Sequence, residues 1–203
     1  MKSESNLRWG ADAPEDITTA RTRLLDAAQK CFEQDGILKT TIEDIAKVAH
    51  VSRATVYRYF DGRDELILGV LLRDTDRHLA RIRPRVERQS SLGDAIVEFV
   101  AVTVNAARRD PSLGMLFTGE AARTTGGIIA GTSVALFEAV AAFFQPLFER
   151  WSDQVRPGTD LGDASELILR MLLSIITVEG PKRRSDAAQR AFIERYLVPA
   201  IVR

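Results

Sequence analysis

The sequence predicts an all-α protein, on three observations. After about residue 17, apolar residues recur at intervals of three and four, which is the period of one face of an α-helix. Gly, Pro and Asp separate these runs, as they do at helix ends. The chain has no Asn-Gly hairpin signal and no sustained alternation of apolar and polar residues, the patterns that indicate β-strands.

The composition is that of an ordinary globular protein, with 203 residues of which 45% are hydrophobic and 28% charged. Lys plus Arg equals Asp plus Glu, so any binding of nucleic acid has to come from local placement of charge. The single Cys31 excludes an intrachain disulfide framework and fits a cytoplasmic protein. With His50 and His78 far apart, no metal-ligand spacing is present and no cofactor is expected.

The sequence gives no indication of a membrane. The first residues are polar and lack the apolar run of a signal peptide. The longest apolar stretch, VALFEAVAAFFQPLF, is too short to span a bilayer and is interrupted by Glu138 and Gln145. We therefore expect no transmembrane span and no membrane partner.

Four helices are predicted in the first part of the chain. The first runs from Thr18 or Thr19 to Asp35, where Gly36 ends it. Thr40 or Thr41 caps a short second helix, and Ser52 caps a third. The stretch DGRDEL starts a longer fourth helix, which Pro84 is expected to end near Arg83.

Five further helices are predicted, at 91–108, 111–123, 128–150, 161–178 and 185–201. Pro146 either kinks the helix at 128–150 or ends it early. In total about nine helices are expected, with a head of three joined by a connecting helix to a helical bundle. The predicted division is a flexible tail at 1–17, the head at 18–64 and the body at 65–203.

Residues 42–60 match a helix-turn-helix. This motif needs a small residue where its two helices cross, a tight turn, and a second helix whose outer face can enter a major groove. Ala46 is the small residue, and Val51 is the apolar residue that follows the turn. His50 lies where Gly is usual, because that position often has positive φ.

The third helix has an outer face suited to DNA. Val56 and Phe60 face inward together with Ala54 or Thr55, which leaves Ser52, Arg53, Thr55, Tyr57, Arg58 and Tyr59 as outward candidates. Arg pairs with guanine edges, Thr contacts thymine methyl groups, and hydroxyl groups bind phosphates. A generic helical hairpin with a solvated face is the alternative, but the capped pattern with two tyrosines favours DNA binding.

The stretch TTIEDIAKVAHVSRATVYRYFDGRDEL resembles the DNA-binding signature of the TetR family of bacterial transcriptional regulators. The resemblance covers about residues 20–75. It implies an N-terminal helix-turn-helix domain and a C-terminal domain that dimerises and binds an effector. Two departures from the family pattern are visible, namely His50 in place of Gly and Tyr59 where His is common.

The resemblance also implies roles for individual residues. Thr41 would contact phosphate at the start of the second helix, and Tyr57, Tyr59 and Arg63 would contact the DNA backbone. The expected base contacts are Ser52, Arg53 and Thr55.

In the body, the helix at 128–150 is apolar on more than one face, which predicts a central buried helix. Core packing alone explains such rings, but the resemblance raises the possibility that some of them line an effector cavity. The effector candidates are Phe99, Thr103, Phe117, Glu120, Phe137, Phe144 and Met171. They suggest a hydrophobic or amphipathic ligand.

The last two helices carry more apolar surface than one packed pair would bury. In the family such helices pair with their symmetry mates as a four-helix bundle. The dimerisation candidates are Leu167, Met171, Leu172, Ile175, Phe192 and Tyr196.

The predicted function is a TetR-like repressor that binds an inverted-repeat operator as a homodimer and is released by a small ligand. The alternative is a DNA-binding dimer without an effector, whose body serves only dimerisation or a protein partner. An enzyme is not expected, because the sequence has no GxSxG elbow, no phosphate-binding Gly loop and no His-based acid/base cluster.

Overall fold

The computed structural model describes residues 14, 16–109, 128–178, 180–182 and 184–203. In that part the chain is all-α, apart from a 3-10 turn at Ser152–Gln154 and one isolated bridge between Val155 and Val202. The helices are α1 (Ile17–Asp35), α2 (Ile42–Val48), α3 (Arg53–Tyr59), α4 (Arg63–Glu87), α5 (Leu92–Arg109), α6 (Ile128–Arg150), α7 (Leu161–Thr177), α8 (Asp186–Tyr196) and α9 (Val198–Ile201). The predicted helix at 111–123 and nearly all of the predicted tail at 1–17 lie outside the described residues.

The chain forms two compact units, of which the first includes the residues up to Arg73 and the second includes most of the chain from Asp74 onward. Side-chain caps set the helix starts in the first unit. Asp16 caps α1 by accepting a hydrogen bond from the Thr19 amide at 2.7 Å. Thr41 and Ser52 cap α2 and α3 as predicted, and such caps contribute about 1 kcal/mol each.

The core of the first unit is apolar and fully enclosed. Leu24, Ala28, Ile45, Val56 and Phe60 are all at most 1% exposed. These residues come from α1, α2, α3 and the residue that follows α3, so burial of one side of each helix holds the head together. The core therefore fixes which side of α3 faces outward.

Two prolines lie inside helices. The expected end of α4 near Arg83 is wrong, because α4 continues through Pro84 to Glu87. Val86 is fully buried beyond the proline, and this burial offsets part of the cost of about 3 kcal/mol for an internal proline. In the same way α6 continues through Pro146 to Arg150, so it does not end early.

In the second unit α5 is enclosed by its neighbours, with nine buried residues, and it packs against α7, α8 and α9. The prediction that the helix at 128–150 is the central buried one is wrong, because α6 keeps an exposed side that includes Val134, Glu138 and Gln145. Leu136, Val140, Phe143, Phe144 and Leu147 are all buried. Phe143 and Phe144 meet Phe99 of α5 with ring centroids 5.1 and 4.9 Å apart. These tilted and edge-to-face arrangements are favourable for aromatic rings.

The predicted helix at 185–201 is two helices, α8 and α9. Pro199 at the start of α9 cannot donate a backbone hydrogen bond into a continuous helix. The chain end instead pairs with the segment after the 3-10 turn, where the Arg156 amide donates to the Ile201 carbonyl and the Arg203 amide to the Gln154 carbonyl. Among the helices that the structure describes, none has the length and apolarity needed to cross a membrane.

Candidate DNA-binding surface and effector cavity

The turn between α2 and α3 has a well-defined geometry. His50 has φ 55°, so the positive φ expected at this position is confirmed. The Val51 amide donates to the Ala46 carbonyl at 2.9 Å, and the His50 amide donates to the Lys47 carbonyl at 3.1 Å. This pair of bonds is the Schellman motif, which here includes a His where Gly is usual.

The outer side of α3 carries polar side chains. Arg53 and Tyr57 are exposed, with side-chain exposure of 58% for Arg53 and residue exposure of 48% for Tyr57. Ser52 and Arg58 are also exposed, and Tyr59 is half-buried. These side chains could contact base edges and phosphates in a major groove.

Thr55 does not belong to this surface. It is 1% exposed, and its hydroxyl lies 3.0 Å from Ser52 Oγ. The expectation that Thr55 contacts bases is therefore corrected, and Ala54 is the exposed residue instead. The reason is that α3 packs against both α1 and α2, so two adjacent positions, Thr55 and Val56, are covered.

Arg53 has a partner that the sequence analysis missed. Its guanidinium forms an ion pair with the carboxylate of Glu43. Glu43 lies in the first turn of α2, where an acidic residue is explained by the helix dipole alone. The Glu43 carboxylate of α2 therefore contacts Arg53, the residue that is expected to bind a base.

Thr41 is exposed at the start of α2 and forms a capping box with Asp44. Its hydroxyl donates to the Asp44 carboxylate at 2.6 Å. This side-chain hydrogen bond is the main cause that lowers the pKa of Asp44. Exposure of Thr41 at this helix start is compatible with a phosphate contact.

Arg63 is tied to the loop between α1 and α2. Its Nε donates to the Thr40 carbonyl at 2.8 Å, and its Nη2 donates to the Ile37 carbonyl. Both of these donors are used within the head, so they are not free for the phosphate contact that was expected of Arg63. Arg63 holds the loop that precedes α2.

The second unit contains a cavity of about 50 Å³. It lies between α4, α5, α6 and α7, with Thr75, His78 and Thr103 as its polar lining residues. The apolar lining residues are Leu79, Phe99, Ala106, Ala107, Leu136, Val140, Leu169, Leu172 and Ile176. The arrangement of an apolar enclosure with few polar groups is typical of small-molecule sites.

His78 is the most unusual lining residue. It is 6% exposed, and its Nε2 lies 3.0 Å from Thr103 Oγ1. Within the described part of the chain, its Nδ1 is buried without a hydrogen-bond partner. Burial, followed by the charge of Arg81, lowers the pKa of His78 to about 4, so the imidazole is neutral at pH 7.

Only some of the predicted effector-binding residues line the cavity. Phe99 and Thr103 line the cavity, whereas α6 contributes Leu136 and Val140 rather than Phe137 and Phe144. Phe144 packs behind the lining against Phe99, Phe137 lies near Arg170, and Met171 is half-buried elsewhere on α7. Phe117 and Glu120 lie outside the described residues.

The cavity residues missed by the sequence analysis include Thr75 and His78. Both lie on the inward stripe of α4, at helical spacing from Leu71 and Ile82, with His78 buried and Thr75 half-buried. Polar residues at buried positions of an otherwise apolar stripe were the signal that could have found them.

The apolar residues of the last helices fall into two groups. Leu167 and Tyr196 are exposed at 38% and 60%, and Met171, Ile175 and Phe192 are half-buried. Leu172 is only 5% exposed and lines the cavity, so its assignment to a dimer surface is corrected. Since α7 is apolar on two sides, the sequence did not separate the inward from the outward residues.

Comparison with known proteins gives the family. A family profile described as "Bacterial regulatory proteins, tetR family" matches residues 24–70. An uncharacterized HTH-type transcriptional regulator of Mycobacterium tuberculosis, Rv1255c, is 30% identical over 182 residues, which cover 90% of this chain and 85% of the relative. The chain belongs to the TetR family of bacterial transcriptional regulators. The family consists of transcriptional regulators rather than enzymes.

Other similarities have lower sequence identity. UidR of Escherichia coli K12, an HTH-type transcriptional regulator, is 25% identical over 174 residues, covering 83% of this chain and 87% of UidR. The structure of RolR in complex with resorcinol has a TM-score of 0.69 at 16% identity, covering 91% of this chain and 92% of RolR. The structure of Thermus thermophilus FadR, a repressor in complex with lauroyl-CoA, has a TM-score of 0.63 at 24% identity. The match covers 88% of this chain and 93% of FadR. The predicted all-α TetR fold is thereby confirmed.

Proposed function

We propose that this TetR-family regulator is a repressor that binds an inverted-repeat operator as a homodimer and is released by a small hydrophobic or amphipathic ligand. The outer side of α3 is the observation that carries the proposal. It presents Arg53 and Tyr57 from a short capped helix, behind a turn held by the Schellman motif at His50. A rigid helix of this kind can place side chains in a major groove with defined register.

On the operator, the roles divide by chemistry. Arg53 can reach the O6 and N7 atoms of guanine, while the hydroxyls of Tyr57 and Tyr59 can bind phosphates. Thr41 adds the exposed start of α2 as a further phosphate contact. Thr55 is omitted because it is buried, and Arg63 is assigned to support of the loop before α2.

The homodimer is supported by exposed and half-buried apolar side chains on α7 and α8. Leu167, Met171 and Ile175 follow one another at intervals of four along α7. Phe192 and Tyr196 on α8 lie with their rings 5.0 Å apart. A second copy would cover these residues in a two-fold interface, and the same symmetry matches the two half-sites of an inverted repeat.

Release by a ligand is supported by the cavity and by relatives. RolR is described with resorcinol and Thermus thermophilus FadR, a repressor, with lauroyl-CoA. In this chain α4 carries both Arg63 and the cavity residues Thr75 and His78. A ligand that favours one position of α4 would change operator affinity, typically by 1–3 kcal/mol.

One observation favours the alternative of a DNA-binding dimer without an effector. The cavity of about 50 Å³ is far smaller than typical ligand pockets. In that case the second unit would serve dimerisation or a protein partner alone.

The test begins with inverted repeats in the DNA that flanks the gene. Labelled duplexes are titrated with the protein by fluorescence anisotropy, and the mass of each complex is measured by light scattering. Two protomers per repeat, with loss of binding when one half-site is scrambled, are expected. Binding by single protomers, or equal binding to scrambled DNA, would contradict the proposal.

The ligand part is tested separately, by thermal shift of the protein with a panel of hydrophobic and amphipathic metabolites, followed by anisotropy with operator. A ligand that stabilises the protein and weakens operator binding is expected. If stabilising ligands leave operator affinity unchanged, the dimer without a ligand switch is the correct function.

A further inference from the structure

We infer that the cavity takes a compact, uncharged molecule that is apolar apart from a hydroxyl group, and that this hydroxyl hydrogen-bonds to Nδ1 of His78. The inference rests on the proposed function, because it names the chemical class of ligand for the same cavity.

The first argument is the unpartnered nitrogen. His78 is 6% exposed and lines the cavity, and its Nδ1 has no hydrogen-bond partner within the described chain. Buried polar atoms are nearly always paired, because an unpaired one loses its bonds to water without replacement. A ligand group that reaches Nδ1 would supply the missing bond.

The second argument selects the hydroxyl. Thr103 Oγ1, which lies 3.0 Å from His78 Nε2, can either accept a hydrogen bond from Nε2–H or donate one to Nε2. In the first case Nδ1 is a bare acceptor, and in the second case it carries a proton and is a donor. A hydroxyl donates to the bare nitrogen and accepts from the protonated one, so it fits both tautomers.

The third argument excludes a charged ligand. No charged side chain is among the described residues that line the cavity. Burial keeps the imidazole neutral at pH 7, so it does not compensate a carboxylate. A carboxylate or phosphate would lose its hydration without a counterion, which is strongly unfavourable.

The volume limits the size of the ligand. A single water needs about 10–15 Å³ of such space, so the cavity of about 50 Å³ admits several non-hydrogen atoms. A small ring with short substituents requires little further opening, whereas a long acyl chain requires the helices to separate.

The experiment compares three probes of nearly the same shape. These are p-cresol with a hydroxyl, p-xylene with a methyl group in its place, and p-toluate with a carboxylate. Isothermal titration of the full chain is expected to give p-cresol an affinity about 10-fold or more above that of p-xylene, with p-toluate weakest. Equal binding of p-cresol and p-xylene, or binding of none of the probes, would overturn the inference.

A spectroscopic measurement reports on the nitrogen itself. The chain has two histidines, so the His50→Gly variant leaves His78 as its sole imidazole. Its ¹⁵N spectrum is expected to show a shift of Nδ1 with p-cresol that p-xylene does not produce. If Nδ1 responds equally to both probes, or to neither, the hydroxyl does not bind there.

Variants separate the contribution of the His78 hydrogen bond to ligand affinity from that of packing. His78→Phe keeps a ring of similar size and should reduce the preference for p-cresol over p-xylene to near unity, while His50→Gly should leave the ratio unchanged. If His78→Phe does not fold, Thr103→Val provides the second test, because loss of the Nε2 partner should weaken p-cresol binding more than p-xylene binding. A ratio unchanged in both cavity variants would contradict the role of His78.

Operator DNA distinguishes this inference from the proposed function. If p-cresol binds with the expected preference but leaves operator affinity unchanged, the inference stands and the ligand switch fails. If both neutral probes bind equally and both weaken operator binding, the ligand switch stands and the inference fails.

Discussion

Glu43 of α2 forms an ion pair with Arg53 of α3, so the residue that we propose to read a base is already paired in the free protein. Both side chains are about half exposed, at 58% for Arg53 and 44% for Glu43, and surface pairs of this kind contribute about 0–1 kcal/mol. A guanine can therefore displace Glu43 at small cost. The pair would hold the guanidinium on the outer side of α3 until DNA binds.

Arg53→Ala should cost about 1–3 kcal/mol on the cognate operator and relax the preference for the base that Arg53 reads. The measurement is anisotropy with the operator and with single-base variants at constant salt. Equal losses on all of these DNAs would instead assign Arg53 to phosphate contacts. Glu43→Gln should tighten operator binding by up to about 1 kcal/mol, and this gain should shrink in the Arg53→Ala background.

Arg63→Ala should lower the free energy of unfolding by about 1–3 kcal/mol, because two charge-assisted hydrogen bonds to the Thr40 and Ile37 carbonyls are lost. Urea denaturation measures this change. Tyr57→Phe is the matched surface variant, and it should leave stability unchanged while weakening cognate and noncognate DNA similarly. An Arg63→Ala protein of full stability would return Arg63 to the phosphate contacts.

His50→Gly should stabilise the protein by about 0.5–1 kcal/mol, because φ 55° is less favourable for a residue with a Cβ atom than for Gly. A β-branched His50→Val should destabilise it by about 1 kcal/mol or more. Chemical denaturation of the two variants at one pH decides the matter. A neutral effect of Val would show that the turn relaxes to ordinary backbone angles.

Tyr196→Asp or Leu167→Glu should produce folded monomers that bind the operator weakly, because both side chains are exposed on the protomer. Light scattering and circular dichroism measure assembly and folding. Leu172→Glu is the contrasting variant, since it places a charge at a buried cavity position and should unfold the protomer instead. If both surface variants remain dimeric, the interface lies on another part of the chain.

The buried His78 should make stability depend on pH. Its pKa is about 4 in the folded protein against 6.5 for the ordinary group, so the unfolded chain binds the proton first as pH falls. The stabilisation is present above pH 6.5 and is lost on the way down to about pH 4, with a loss of about 2 kcal/mol by pH 5. Urea denaturation at pH 7 and pH 5 should show a smaller loss for His78→Gln than for the unaltered protein, and equal losses would contradict the shift.

The local features of the head could be predicted from the sequence. The caps at Thr41 and Ser52 and the turn at His50 depend on hydrogen bonds between residues at most five apart. The bounds of α5 and α6 were predicted within about one residue, because cap and break signals lie next to each helix end. The resemblance to the TetR family depends on this same local stretch.

At some positions the sequence allowed two orientations of a helix, and the tertiary structure decided between them. Whether Ala54 or Thr55 faces outward depends on how α1 and α2 cover α3, and whether Leu172 is a surface or a cavity residue depends on how α7 is rotated. Packing also carries α4 through Pro84, against the local preference.

The sequence by itself determined the helical class and the helix-turn-helix, because short-range spacing and capping specify them, and it indicated the family through its resemblance to the TetR signature. Only the tertiary structure decided that Glu43 meets Arg53 and that His78 meets Thr103 beside a cavity. Those partners lie on different helices, and which helix faces meet is set by the burial of many apolar side chains at once rather than by any local pattern.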